Sequence, residues 1–187
     1  MTPNVLARLN PPFVNLVDNI SVHPFGPECL GQEIAAINNA TLGSAAWTAN
    51  LLIFIPLMIA EPLTVSQFWW INGGTVNGNT DVGVYSEDGQ TKFGSSGSTV
   101  NSGTSQIQVV NVGDFVLPAN SRLWLALGSD SGTQTYSRIN PVVGALDLIG
   151  IKQQASGWSS GLPGTIAVAT PTVAIIPNFG FTGKATI

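Results

Sequence analysis

One pattern constrains this chain more than any other. From residue 46 to about residue 137, short runs of alternating apolar and polar residues are separated by clusters of turn formers. A period of two places successive side chains on opposite faces of an extended strand, and no helix keeps such a stripe on one side. In residues 63–71, Leu63, Val65, Trp69 and Ile71 fall on one face, and Thr64, Ser66, Phe68 and Trp70 on the other. Val82 and Val84 share a face. Glu87-Asp88-Gly89-Gln90 then offers a hairpin turn, with Gly89 free to take positive φ. Ile107 and Val109 alternate with Gln106 and Gln108. After the turn sequence Pro118-Ala119-Asn120, Leu123, Leu125 and Leu127 alternate with Arg122, Trp124 and Ala126. Short strands at this spacing build sandwiches and barrels. The expected fold is all-β, an antiparallel β-sandwich of jelly-roll-like type.

Residues 51–59 are nearly continuous apolar sequence, as in a strand buried on both faces. Taken with residues 60–71 they resemble a membrane span. Pro56 and Glu61-Pro62 interrupt the stretch, however, and a spanning helix needs about 20 mostly apolar residues. Two buried strands joined at Glu61-Pro62 fit better, and no membrane is expected as a partner.

Residues 1–45 read differently. Pro3, Pro11, Pro12, Pro24 and Pro27 preclude long helices and central strands. Leu30, Ile34 and Ile37 have helical spacing, so one short helix near 28–37 is compatible. The simplest reading is an extended N-terminal arm docked on its own domain or on a neighbour. Its apolar anchors are Val5, Leu9, Phe13, Leu16, Ile20 and Phe25. The chain thus divides into an arm, 1–45, and a sandwich domain, 46–187. Within the latter, 142–151 fits strand or loop. The Gly/Ser-rich 153–164 reads as a surface loop carrying Trp158, and 165–176 as one or two strands bent at Pro171.

Charged residues make up 9 % of the chain, against roughly 25 % in an average soluble domain. The six Lys and Arg and the net charge of −4 provide no basic face for phosphates, which argues against nucleic acid and anionic membranes. So much apolar residue with so little charge points to a homo-oligomer, a trimer being the expected form. Cys29 is the sole cysteine, so no disulfide forms within the chain. The opening Met1-Thr-Pro-Asn-Val-Leu-Ala-Arg-Leu lacks a charged head followed by an apolar stretch, so no secretory leader is expected. The triplets at Asn19 and Asn39 therefore carry little weight as glycosylation sites.

Few residues invite chemistry. Gly157-Trp158-Ser159-Ser160-Gly161 has the spacing of a hydrolase nucleophile turn, but no acid follows Asp147 and the sole histidine, His23, lies upstream. One His and one Cys fall short of a zinc set. Asn77, Asn79 and Asp81 alternate like a calcium loop, yet Val82 stands where that loop needs Gly; turn chemistry explains them. Glu87 and Asp88, adjacent in a turn, cannot face each other as an acid/base pair. No catalytic residue, metal or cofactor is expected. The aromatic residues are the better candidates for contact with a ligand or partner. Trp69 and Trp70 point to opposite faces, so one of them must leave the core, and Trp70 is a candidate for contact with a ligand or partner. Trp158 and Tyr136, in polar surroundings, suit sugar stacking or partner contact.

Three stretches carry a resemblance. Residues 72–85 (Asn-Gly-Gly-Thr-Val-Asn-Gly-Asn-Thr-Asp-Val-Gly-Val-Tyr) lead through a turn to Gly94-Ser-Ser-Gly-Ser-Thr99. Leu117-Pro-Ala-Asn-Ser-Arg-Leu-Trp-Leu-Ala126 follows, and Trp47 and Pro56 precede. Over 46–137 this layout resembles the β-sandwich virion proteins of tailed bacteriophages, head-decoration or fibre-type components. The resemblance implies a non-catalytic structural protein of the virion, assembled in the host cytoplasm and attached through its arm to capsid or tail subunits. The alternative it leaves open is a carbohydrate- or receptor-binding adhesion module of the tail, with a host surface glycan as ligand.

Overall fold

The turn residues close as their chemistry requires. In the computed structural model, which describes residues 20–22, 44–139, 146 and 150–185, Gly89 takes φ 72°. Its N–H donates to Ser86 O at 2.9 Å, and Asp88 Oδ1 accepts the Ser86 hydroxyl and the Gln90 N–H. This turn joins β5 (Asn79–Ser86) to β6 (Lys92–Ser95). Asn120, at φ 51°, turns β8 (Ile107–Leu117) into β9 (Ser121–Ser129), and the Ser121 hydroxyl donates to Pro118 O. The remaining strands are β1 (Ile20–Val22), β2 (Ser44–Ala46), β3 (Leu52–Ile59), β4 (Leu63–Ile71), β7 (Thr99–Val100), β10 (Thr135–Ile139), β11 (Lys152–Gln154), β12 (Ile176–Pro177) and β13 (Phe179–Ala185).

Every strand pairing is antiparallel. One sheet has the order β1-β13-β4-β8, and a second the order β11-β3-β9-β5-β6. Take the eight strands β1, β3, β4, β5, β6, β8, β9 and β13 as first to eighth. The first sheet then runs first, eighth, third, sixth, and the second runs second, seventh, fourth, fifth. That is the jelly-roll order, two interlocked Greek keys. β7 pairs with the start of β5, and β12-β10-β2 forms a small side sheet. The expected all-β sandwich is therefore present, and residues 51–71 are two strands, β3 and β4, one in each sheet. Among the described residues no helix is long and apolar enough to cross a membrane.

Two pieces of the segment expected to be an arm take part in sheets. Residues 20–22 pair with β13 at the edge of the first sheet, and 44–46 pair with β10. The anchors Val5, Leu9, Phe13, Leu16 and Phe25, the helix near 28–37, His23 and Cys29 lie outside the described residues, as does most of 142–151.

Between the sheets sit Ile53, Ile55, Val82, Val84, Leu123, Leu125 and Leu127 from one side and Val65, Phe68, Trp70, Leu117, Phe179 and Phe181 from the other. Burying each such side chain stabilises the fold by about 1.5–3 kcal/mol. The alternation in β9 holds as read. That in β4 does not: Leu63 and Val65 face the core, and so do Phe68 and Trp70. The cause is a bulge. Val65 pairs with Gly183 and Gln67 with Thr182, so Ser66 is an extra residue on β4, and the strand beyond it changes phase. Trp69, not Trp70, is the tryptophan turned outward, and it is half-buried.

The C-terminal expectation also needs correction. Of 165–176, only an isolated bridge from Ala169 to Gln153 and the start of β12 are extended pairing, while β13 contributes a central strand. Its Gly180 and Gly183 weaken the β signal in the sequence, but Phe179 and Phe181 supply the inward face.

Candidate interaction surfaces

At one end of the sandwich the loops are tied by buried amides and hydroxyls. Asn72 Oδ1 accepts Trp70 Nε1 at 3.1 Å and Gln134 Nε2 at 2.9 Å, and Asn72 Nδ2 donates to Gln108 Oε1 and Ser102 O. Gln108 Oε1 also accepts Ser102 N–H, while its Nε2 donates to Val100 O at 2.8 Å. Thr80 donates to Asn101 Oδ1 and is hydrogen-bonded to the Tyr136 hydroxyl. Such a network keeps its buried polar groups paired where the loops meet.

The outer face of the second sheet carries a separate apolar cluster of Leu52, Phe54, Tyr85 and Ala126, covered by Leu162 and Ile166. The covering segment is fastened by polar groups. Asp81 Oδ2 accepts Leu162 N–H at 2.9 Å, Lys92 Nζ donates to Leu162 O at 2.9 Å, and the Tyr85 hydroxyl donates to Pro163 O. The Ser96 and Ser95 hydroxyls also donate to Asp81. Burial pushes the Asp81 carboxyl above its usual range despite these donors and nearby Lys92. The stretch read as a surface loop is thus a third layer. Sequence reading missed Asp81 in this role; its one signal was a carboxylate inside an apolar strand.

On the first sheet, β8 is an edge strand of eleven residues whose inward face carries Val110 and Val112 beside Gln108. Gln108 points inward to the amide network, so Ile107 and Val109 point out, 60 % and 53 % exposed. Val100 on β7, whose carbonyl binds Gln108, is 69 % exposed. Trp69 lies opposite Val109 in the register.

Of the three aromatics expected to make contacts, two are placed elsewhere. Trp70 is fully buried because the bulge turns it inward. Tyr136 is 1 % exposed: it lies in β10, not in a loop, and packs edge-on against Trp47 with ring centroids 5.3 Å apart. Its Ser and Thr neighbours belong to a side sheet over the buried network, which is why the local sequence looked like surface. Trp158 is half-buried and, with Trp124, borders the outer cluster. Ser159 is exposed. Asn77, Asn79 and Asp81 do not converge: they reach Thr133, Asp130 and Leu162 respectively. Among the described residues no group of three or more His, Cys, Asp or Glu is placed to hold a metal ion. Glu87 pairs with Arg122 at 3.3 Å on the surface. No family model, curated protein or solved structure matches the chain.

Proposed function

We propose that this protein is a non-catalytic structural component of a bacteriophage virion, a decoration or fibre-type homotrimer attached to capsid or tail subunits through its N-terminal arm. The observation that carries the reading is the jelly-roll strand order, an architecture used by viral capsid and lectin domains. The step from fold to role is one of analogy. It is supported by the low charge, by the resemblance over 46–137, and by exposed apolar residues on an edge strand, a surface that a solitary molecule keeps covered. The arm is tested by deleting residues 2–18, which stops short of β1. The truncated chain is expected to fold and to be lost from assembled particles. Incorporation at the full-length level would show that the arm is not the attachment.

A second reading, a glycan-binding module, is favoured by one feature: Trp158 and Trp124 border the outer cluster with part of each ring accessible. Retention on immobilised host glycan, lost in Trp158→Ala, would favour it over the first.

A further inference from the structure

The chain contains two Asn-Gly pairs, Asn72-Gly73 and Asn77-Gly78, close in sequence and in opposite surroundings. An asparagine followed by glycine has a built-in route to covalent change. The backbone nitrogen of the next residue attacks the side-chain amide carbon, and glycine has no side chain to crowd that approach. Packing decides whether the route is open.

At Asn72 it is closed. The residue is 1 % exposed, its Oδ1 accepts from Trp70 and Gln134, and its Nδ2 donates to Gln108 and Ser102. The attacking atom is engaged as well, because the Gly73 N–H donates to Thr135 O at 2.8 Å. Reaction there requires the buried network to open first. Asn77 is exposed, and among the described residues its side chain makes one hydrogen bond, from Nδ2 to the exposed Thr133 hydroxyl at 2.7 Å. Among the same residues the Gly78 N–H donates to no acceptor. Gly78 takes φ 65°, and a Cβ on it would lie 2.6 Å from Ser131 Cβ. The turn therefore demands the one residue that leaves the nitrogen unhindered.

We propose that Asn77 is a site of spontaneous deamidation in the folded protein, and that the fold protects Asn72 from the same reaction. The Gly78 nitrogen gives up its proton and bonds to Asn77 Cγ. The Cγ–Nδ2 bond breaks, and ammonia leaves carrying a proton in place of the one given up. Water then opens the resulting five-membered succinimide at either carbonyl, leaving aspartate or isoaspartate. Each event makes the net charge one unit more negative than −4. The new carboxylate forms near Asp130, which lies against Gly78 and holds Asn79 through its N–H and Nδ2. Isoaspartate also lengthens the main chain between the Asn77 N–H, bonded to Gln134 Oε1, and Gly78. This end of the sandwich is thereby loosened.

The test incubates the full-length protein in mildly alkaline buffer, folded and in denaturant. Pepsin digestion, whose acidity halts the reaction, and fragment-ion mass spectrometry then follow both asparagines. Ile71 and Val76, both β-branched, precede the two pairs, so in denaturant the two should convert at similar rates. In the folded protein Asn77 is expected to convert about tenfold faster than Asn72, or more, since only Asn72 must wait for local opening. Asn77→Gln should abolish the acidic form seen by isoelectric focusing of aged folded protein. Should that variant misfold, the ratio of the two sites in the unaltered chain decides alone. Equal rates at the two sites in the folded protein, or an acidic form that persists in a folded Asn77→Gln, would overturn the proposal.

Discussion

Asp81 on β5 accepts the backbone N–H of Leu162 at 2.9 Å, joining a buried strand carboxylate to a segment 81 residues further along the chain. With the Lys92 bond to the same residue's carbonyl, it fastens the third layer to the outer face of the second sheet.

Removing that carboxylate in Asp81→Ala leaves the Leu162 N–H without its acceptor and is expected to cost about 1–3 kcal/mol. The pH dependence has a definite sign. Because burial raises the folded-state pKa above 3.8, the contribution of this group is fully present below the unfolded value and is lost as pH rises through the raised one. Ser95, Ser96, Lys92 and Tyr85 are the polar or charged groups around it. The urea midpoint of the native protein, relative to Asp81→Asn, should therefore move in favour of the native protein between pH 7 and pH 4. A difference independent of pH would show that the carboxyl is not desolvated.

The chain's two tyrosines are both buried, and both phenols are raised. Burial pushes Tyr136 up to about 12; Tyr85 is raised by burial and by the charge of Asp81. Phenolate absorbance near 295 nm should be absent from the folded protein at pH 10.0, the ordinary midpoint, and appear there once the protein is unfolded in denaturant. The stability these groups contribute is present below that pH and falls as pH rises through the raised values. Half-titration of either tyrosine at pH 10.0 in the folded state would contradict the packing described for β5 and β10.

The bulge can be tested at Gly183. A Cβ there would come within 2.5 Å of Thr64 O, a backbone atom that cannot swing aside. Gly183→Ala should lower stability by about 1–3 kcal/mol through overpacking, read as a lower melting temperature. An unchanged melting temperature would mean that β13 and β4 do not approach as described.

How much of this was legible from residues alone depended on whether local pattern or distant packing decided the outcome. The β5–β6 turn and the inward Leu123, Leu125 and Leu127 were legible because turn chemistry and period-two patterning act over a few residues. The face assignment in β4 failed beyond Val65, since an extra residue at Ser66 is fixed by pairing with β13 and leaves no mark in β4 itself. Tyr136 looked exposed because Thr80 and Asn101, which accommodate its hydroxyl, are far away in sequence. The outward direction of Ile107 and Val109 was equally hidden. Alternation reveals two faces but not which is wet, and here the inward face is the one that puts Val110 and Val112 against the core and Gln108 on Asn72.

The proposed role is tested most directly by counting copies of this chain, by quantitative mass spectrometry, in phage particles purified through a density gradient from the cells in which the chain is made. A structural component predicts a fixed ratio to the major capsid or tail subunit, unchanged through successive gradients and compatible with threefold assembly. Loss of the chain from the particles on purification, or a ratio that drifts from one preparation to the next, would contradict it.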